Sequence, residues 1–250
     1  MNIFKKLFGK SEEENSSKKN NTSYFSKTNK VDFKNFTDLI NQNAGFTLEK
    51  QLNFNDLTKG LAWNIDLNTA TLSFDKYHFP IEVIGSLSFN DYSWMWGWAN
   101  EKSGIPKNLL QSSLILKQMG EEKQIKEFTK GHFKAEEGFE HQMGIVASGL
   151  LKADAYFCAN YKQGTMVLII KSDLIPKINE HQLDKILTTF PQVIDGIDLN
   201  HKESFKNYLI DRNLELNLQS KNKIEGTKNN RTIVAEFDNL DRLVSLNGTI

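Results

Sequence analysis

Chemistry in an unassigned chain usually rests on histidine, cysteine and paired carboxylates. This sequence holds few of them in useful arrangements. Its five histidines (His78, His132, His141, His181 and His201) never fall at a metal-ligand spacing. There is no HExxH and no His-x-His, the patterns that put two imidazoles on one side of an element. Glu140-His141 sets two proton-active groups side by side, but adjacent residues of a helix do not face one another. The single cysteine, Cys158, sits among Tyr156, Phe157 and Ala159. That setting suits a buried, inert thiol better than a nucleophile. Carboxylates recur at Glu121, Glu122, Glu136, Glu137 and Glu140. A hydrolytic pair needs a fixed separation, and without one these read as solvated surface. Walker A, GxGxxG, GxSxG and CxxC patterns are all absent, so neither a metal nor a cofactor is expected.

The distinctive stretch is Tyr92 to Glu101, which contains three of the four tryptophans. Trp94, Trp96 and Trp98 alternate strictly, so an extended strand puts them on one face together with Tyr92. Ser93, Met95, Gly97 and Ala99 then form the other face, which something can approach closely. A helix would scatter the indoles, and Gly97 would weaken it. The aromatic face has two readings. Either it plugs the space between sheet and helices, or it is a shelf for a partner, since Trp and Tyr are enriched at binding hot spots. On the second reading the binding residues are Tyr92, Trp94, Trp96 and Trp98, with Asn100 and Glu101 at the strand's mouth.

The elements that would position this strand follow from periodicity. Apolar residues at 33, 36, 39 and 40 mark a helix with Asp32 as N-cap, ending at Ala44-Gly45. The period then becomes two: a hairpin around Asn68-Thr69, a strand from Ile81 to Phe89 after Pro80, a turn at Asn90-Asp91, and the tryptophan strand. Ile81, Val83, Gly85, Leu87 and Phe89 are expected to face one way. Four consecutive strands at hairpin spacing predict an antiparallel meander. Pro106 opens a helix that stops at Gly120, and Phe139, Met143, Val146 and Leu150 stripe a second. Paired strands flank Lys162-Gln163-Gly164, with Met166 to Ile170 buried on both faces. A third helix carries Leu183 to Ile194 and should kink or end at Pro191; a fourth carries Phe205, Tyr208 and Leu209. Leu214, Leu216 and Leu218 alternate, and a hairpin at Asn229-Asn230 closes the fold. The class is α+β: antiparallel sheet, a meander plus later hairpins, packed by several helices.

At 250 residues and 39% hydrophobic, the chain can bury a sizeable core. Its formal net charge is zero, which argues against a nucleic-acid partner. The first thirty residues nevertheless hold seven lysines and three glutamates, a basic leader on a mildly acidic body. Within 1–10, Ile3, Phe4, Leu7 and Phe8 pair at i, i+4 beside Lys5 and Lys6, a short amphipathic segment able to rest weakly on an anionic membrane surface. Residues 11–30 are Ser/Asn/Lys/Glu-rich and read as a disordered linker. A single domain is expected over 31–250. One cysteine fits a reducing, cytoplasmic setting, and no run of eighteen apolar residues spans a bilayer.

Taken together, Val83-Ile84-Gly85-Ser86 and Trp94 to Asn100 resemble a bacterial domain family of unknown function marked by a VIGS-type strand followed by a WxWxWAN-type strand. Looser agreement lies at Gly120-Glu121 and Ala155-Tyr156, and the likeness covers about residues 50 to 245. It implies a stand-alone soluble bacterial protein and carries over no catalytic residue. The function expected is a non-catalytic binding module for another protein, in its most concrete form an immunity-type protein that neutralises a toxin. The alternatives are a small-molecule hydrolase using carboxylates near the tryptophan strand, and a membrane-surface adaptor working through residues 1–10.

Overall fold

The computed structural model describes residues 24–249. The amphipathic leader, from Ile3 to Phe8, and residues 11–23 of the expected linker lie outside the described residues. Contacts begin before Val31, the expected domain start. Ser26 forms a two-bond bridge with Leu216, and Lys30 pairs with Asp211 at 2.6 Å.

A 23-residue helix, α1 (Phe36–Thr58), runs through the middle of the molecule. Its N-cap is Asn35 rather than Asp32; the Asn35 side chain accepts from the Asp38 amide while Asp38 accepts from the Lys34 amide. This is a reciprocal cap of the capping-box kind. The helix passes through Ala44-Gly45 instead of ending there.

The expected meander follows: β1 (Trp63–Asp66), β2 (Thr71–Phe74), β3 (Tyr77–Ser88) and β4 (Ser93–Trp96), each antiparallel to the next. Pro80 lies inside β3 rather than at its start. A short strand the periodicity does not signal, β5 (His132–Lys134), pairs with β4. The hairpin β6 (Ala155–Asn160) and β7 (Gly164–Ile170) joins the other side of β3, completing a seven-stranded sheet. Between β4 and β5 come α2 (Gln111–Lys123) and α3 (Lys126–Thr129), and α4 (Phe139–Leu150) precedes β6. Helix α2 continues past Gly120, where a Cβ would stand 2.4 Å from Phe128 Cβ. That glycine serves the close return of α3 and is not a stop.

A second layer follows in sequence. Helices α5 (Asp184–Gly196) and α6 (His201–Asp211) pack against α1, and Pro191 lies within α5 without ending it. A four-stranded antiparallel sheet covers them: β8 (Glu215–Asn217), β9 (Lys223–Lys228), β10 (Arg231–Phe237) and β11 (Leu243–Thr249). Asn229 and Asn230 both take positive φ in the β9–β10 turn, the two-residue hairpin geometry that asparagine tolerates. Described residues thus contain six helices and two antiparallel sheets, an α+β fold.

The seven-stranded sheet carries a core on each face. One face joins α1, α4 and the second layer in a continuous core that includes Trp94, Trp96, Val146, Val167, Tyr208 and Phe237. The other carries a smaller core of Phe54, Phe74, Phe79, Ile81, Val83 and Leu168. Strand β3 changes sides midway. Its pairing with β7 skips Ile84 between Val83 and Gly85, a bulge that resets the alternation. Ile81 and Val83 therefore enter the smaller core while Ile84 and Leu87 enter the larger, contrary to a single face from Ile81 to Phe89. Val167 and Ile169 of β7 point to one core and Leu168 and Ile170 to the other, as the unbroken apolar run requires.

Candidate functional site

The tryptophan segment is extended only from Ser93 to Trp96; Gly97–Ala99 turns into a single 3-10 turn. Trp94 and Trp96 are fully buried. Their rings meet edge to face at 5.8 Å, and Trp96 stacks on Trp98 at 6.2 Å. The indoles share a side, but that side is core. Each buries roughly 150–250 Å², on the order of 4–6 kcal/mol at about 25 cal/mol per Å². The Trp96 Nε1 donates to the Glu127 carbonyl at 2.8 Å, whereas Trp94 Nε1 has no partner among the described residues. An unmade bond of that kind costs about 1–3 kcal/mol, so burial wins. Trp98 is half-buried, with Lys117 Nζ 4.5 Å above its ring. Tyr92 leaves the row: it sits at φ +51° in the β3–β4 turn and is exposed. Its neighbour Asp91 accepts from the Ser93 hydroxyl at 2.8 Å, and these hydrogen bonds, with Lys134, hold its carboxyl far below the usual carboxylate range.

The opposite face of the same strands contains an opening. Register places Met95 beside Ser86 and Ser86 beside Met166, one row across β4, β3 and β7. The β1–β2 hairpin curls over the lower part of this face, where Trp63 and Phe74 both meet Phe157. It stops short of the Met95–Ser86–Met166 row. What remains is a pocket of about 350 Å³ floored by that row and by Gly85 and Gly97. Asn100, Ser103, Ile105 and Tyr161 stand at its edge. None of its lining residues is acidic, basic or histidine. The side chains of Ser86, Asn100, Ser103 and Tyr161 make no hydrogen bond within the described residues. An apolar floor with a few unpaired polar groups at its rim is the usual build of a ligand site.

Gly85 is required by the other face: a Cβ there would lie 2.5 Å from the Trp94 ring and 2.6 Å from the Met95 carbonyl. The packed indole and the open pocket are thus two sides of one close approach. Of the six binding residues expected from sequence, only Asn100 reaches the pocket, whereas Met95 and Gly97 of the opposite, approachable face line it. Trp94 and Trp96 are interior, and Glu101 is exposed in a separate 3-10 turn (Glu101–Ser103). Ser86, Met166 and Tyr161 were not expected at a site, while the face opposite the indoles pointed to Met95 and Gly97.

The proton-active residues do cluster, away from the pocket. His141 in the first turn of α4 shares its Nδ1 between the Tyr156 hydroxyl at 3.3 Å and Cys158 Sγ at 3.7 Å. Glu140 is buried, and its Oε2 has no partner among the described residues. Burial, then the Glu140 charge, pushes the Cys158 thiol well above its ordinary range. Tyr156 is pushed up mainly by burial as well. A thiol so placed stays protonated and is a poor nucleophile. No group of three or more His, Cys, Asp or Glu among the described residues is arranged to hold a metal ion. No helix among them is long and apolar enough to cross a membrane.

Fold and pocket together define an α+β protein with an indole-packed antiparallel sheet and an uncharged pocket on that sheet's far side. The chain belongs to a family of unknown function (DUF6882), whose model matches residues 37–173, from the first turn of α1 to just past β7. The match begins and ends earlier than the likeness read from sequence over 50 to 245. It contains both motif strands and the whole lining of the pocket, and leaves α5, α6 and the second sheet outside. No curated protein and no solved structure matches the chain.

Proposed function

We propose that this protein is a non-catalytic binding module that takes an uncharged, largely apolar side chain of a protein partner into the pocket between β4, β3 and β7. The observation that carries this reading is the lining: Ser86 lies between two methionines in the floor, Asn100, Ser103 and Tyr161 stand at the edge, and none of the four side chains has an internal partner among the described residues. Methionine suits such a floor because its flexible, polarisable thioether adapts to varied shapes. Ser86 and Asn100 belong to the two strands read from sequence as a family hallmark, and we take that hallmark, with a bacterial and cytoplasmic setting, as part of the proposal. The immunity-type form of the reading makes the partner a toxin. A hydrolase would need carboxylates converging on the same space, and the residues lining it are uncharged.

The test is affinity purification of the tagged full chain from its native cells, beside a Ser86→Leu variant that fills the pocket. The expected result is a stoichiometric protein partner on the wild type, lost from the variant, with melting temperatures within about 3 °C of each other. A partner retained equally by the variant, or a chain that emerges alone with a small metabolite, overturns the reading.

A further inference from the structure

A second cavity, of about 230 Å³, lies where α1 meets the segment before β6, the 175–180 loop and the end of α6. Phe46, Ile175, Pro176 and Ile178 supply apolar walls, and charged groups stand among them. Each carboxylate at or beneath the cleft is already matched. Asp154 is paired with Lys177 at 2.6 Å, Asp211 with Lys30 at 2.6 Å and Glu180 with Lys228 at 2.7 Å. Glu49 accepts from Arg212 and from the Tyr208 hydroxyl.

Lys50 is the cation left over. Its Nζ donates to the Ala153 carbonyl at 2.7 Å and stands 5.0 Å from the Phe46 ring centre, and no carboxylate among the described residues lies within ion-pairing distance of it. An ammonium has three donors, so part of its capacity is unused. Arg212, 1% exposed, lines the same cleft with a buried Nε that has no partner among the described residues. Burial drives the Lys50 pKa down despite the pull of Asp154 and Asp211, which means that its charge is under-compensated where it stands. A cavity below the ~300–1,000 Å³ of drug-sized sites calls for a small occupant.

We propose that this cleft binds a small organic monocarboxylate, its anionic group on Lys50 and its aliphatic body against Phe46 and the Ile175–Pro176 wall. Cations are excluded because Lys50 repels them and every acid is already engaged. Neutral molecules of the same shape gain the wall contacts but leave Lys50 unmatched. The site lies outside the pocket proposed above and does not depend on it. Three residues of the family-matched segment, Phe46, Lys50 and Asp154, form one side of it, and residues beyond 173 form the other.

The experiment is calorimetric titration of the full chain with hexanoate, hexylamine and hexan-1-ol. Hexanoate is expected to bind at least tenfold more tightly than the other two. Lys50→Met should weaken hexanoate tenfold or more and Lys50→Arg by less than about threefold. Should Lys50→Met fail to fold, the Lys50 ε-methylene resonance of the wild type supplies the answer: its titration midpoint rises with hexanoate and not with hexan-1-ol. Absence of hexanoate binding up to about 10 mM, equal binding of the amine or the alcohol, or a folded Lys50→Met chain with unchanged affinity overturns the assignment.

Discussion

Asp211 shows how a single side chain can be paired and still be held at a cost. Lys30 lies 2.6 Å away, yet burial outweighs that pull and raises the carboxyl above its ordinary 3.8. The folded chain therefore takes up this proton at a higher pH than the unfolded chain does. The ionised form penalises folding above that window, and the penalty vanishes once pH falls below 3.8, where both states are protonated. Lys50 also faces Asp211 and softens the penalty without removing it. Asp211→Asn should accordingly raise the melting temperature at neutral pH, with the gain shrinking to nothing in acid. A loss at neutral pH would show that the Lys30 pair outweighs burial, and a gain constant across pH would show that the effect does not come from the ionised carboxyl. At this scale the sequence was legible in part. Cys158 reads from its apolar neighbours as buried and is only partly so, while its approach to His141 depends on which strand faces the first turn of α4. Asp211 gave no signal at all, since its environment is assembled from residues 30 and 50, far away in the chain.

Elements were legible wherever their signals were local. The helix over Phe139–Leu150 and the β6–β7 hairpin lie where the 3.6 and 2.0 periods put them. Failures came where a residue serves a neighbour distant in sequence. Ala44-Gly45 reads as a helix stop, but Gly45 lies in mid-helix because a Cβ there would stand 2.6 Å from the Tyr208 ring of α6. Alternation puts Ile81, Val83, Gly85, Leu87 and Phe89 on one face, yet the bulge at Ile84 turns half of β3 over; no local pattern announces this. The pocket depends on that bulge and on the reach of the β1–β2 hairpin, so its outline could not be read beforehand. Two glycines test the argument. Gly45→Ala gains roughly 1 kcal/mol of helix propensity but forces Tyr208 aside, which costs about 1–3 kcal/mol, so a net loss is expected. Gly196→Ala, at the exposed end of α5 with nothing within 4 Å of a new Cβ, should be neutral or stabilising by up to about 1 kcal/mol. Urea melts of the two variants decide it, and a Gly45→Ala chain more stable than wild type would refute the close-approach account.

For the molecule as a whole, the α+β class was readable because it follows from the sum of many local periods. The division into two layers around α1 was not, since nothing in α1's own composition says that it is covered on both sides. That division has an energetic consequence. The family-matched segment ends at 173, and α1 is then missing the groups that face its second side: Tyr208 against Gly45, and Tyr208 and Arg212 on Glu49. The large core runs without a break from Trp94 to Phe237, so cutting after 173 severs it and exposes apolar surface. Residues 24–173 expressed alone should lack the full chain's cooperative melt and bind a hydrophobic dye. A cooperative transition within about 5 °C of the full chain would show instead that the first layer is self-sufficient. Glu49 gives a sharper form of the same test. In the full chain Glu49→Leu strands the buried Arg212 charge, a loss of about 3–5 kcal/mol. Glu49→Leu combined with Arg212→Met should recover most of that loss in urea melts of the full chain, because the double variant leaves no buried charge unpaired. A double variant no more stable than Glu49→Leu alone would mean that Glu49 answers to the first layer and not to Arg212.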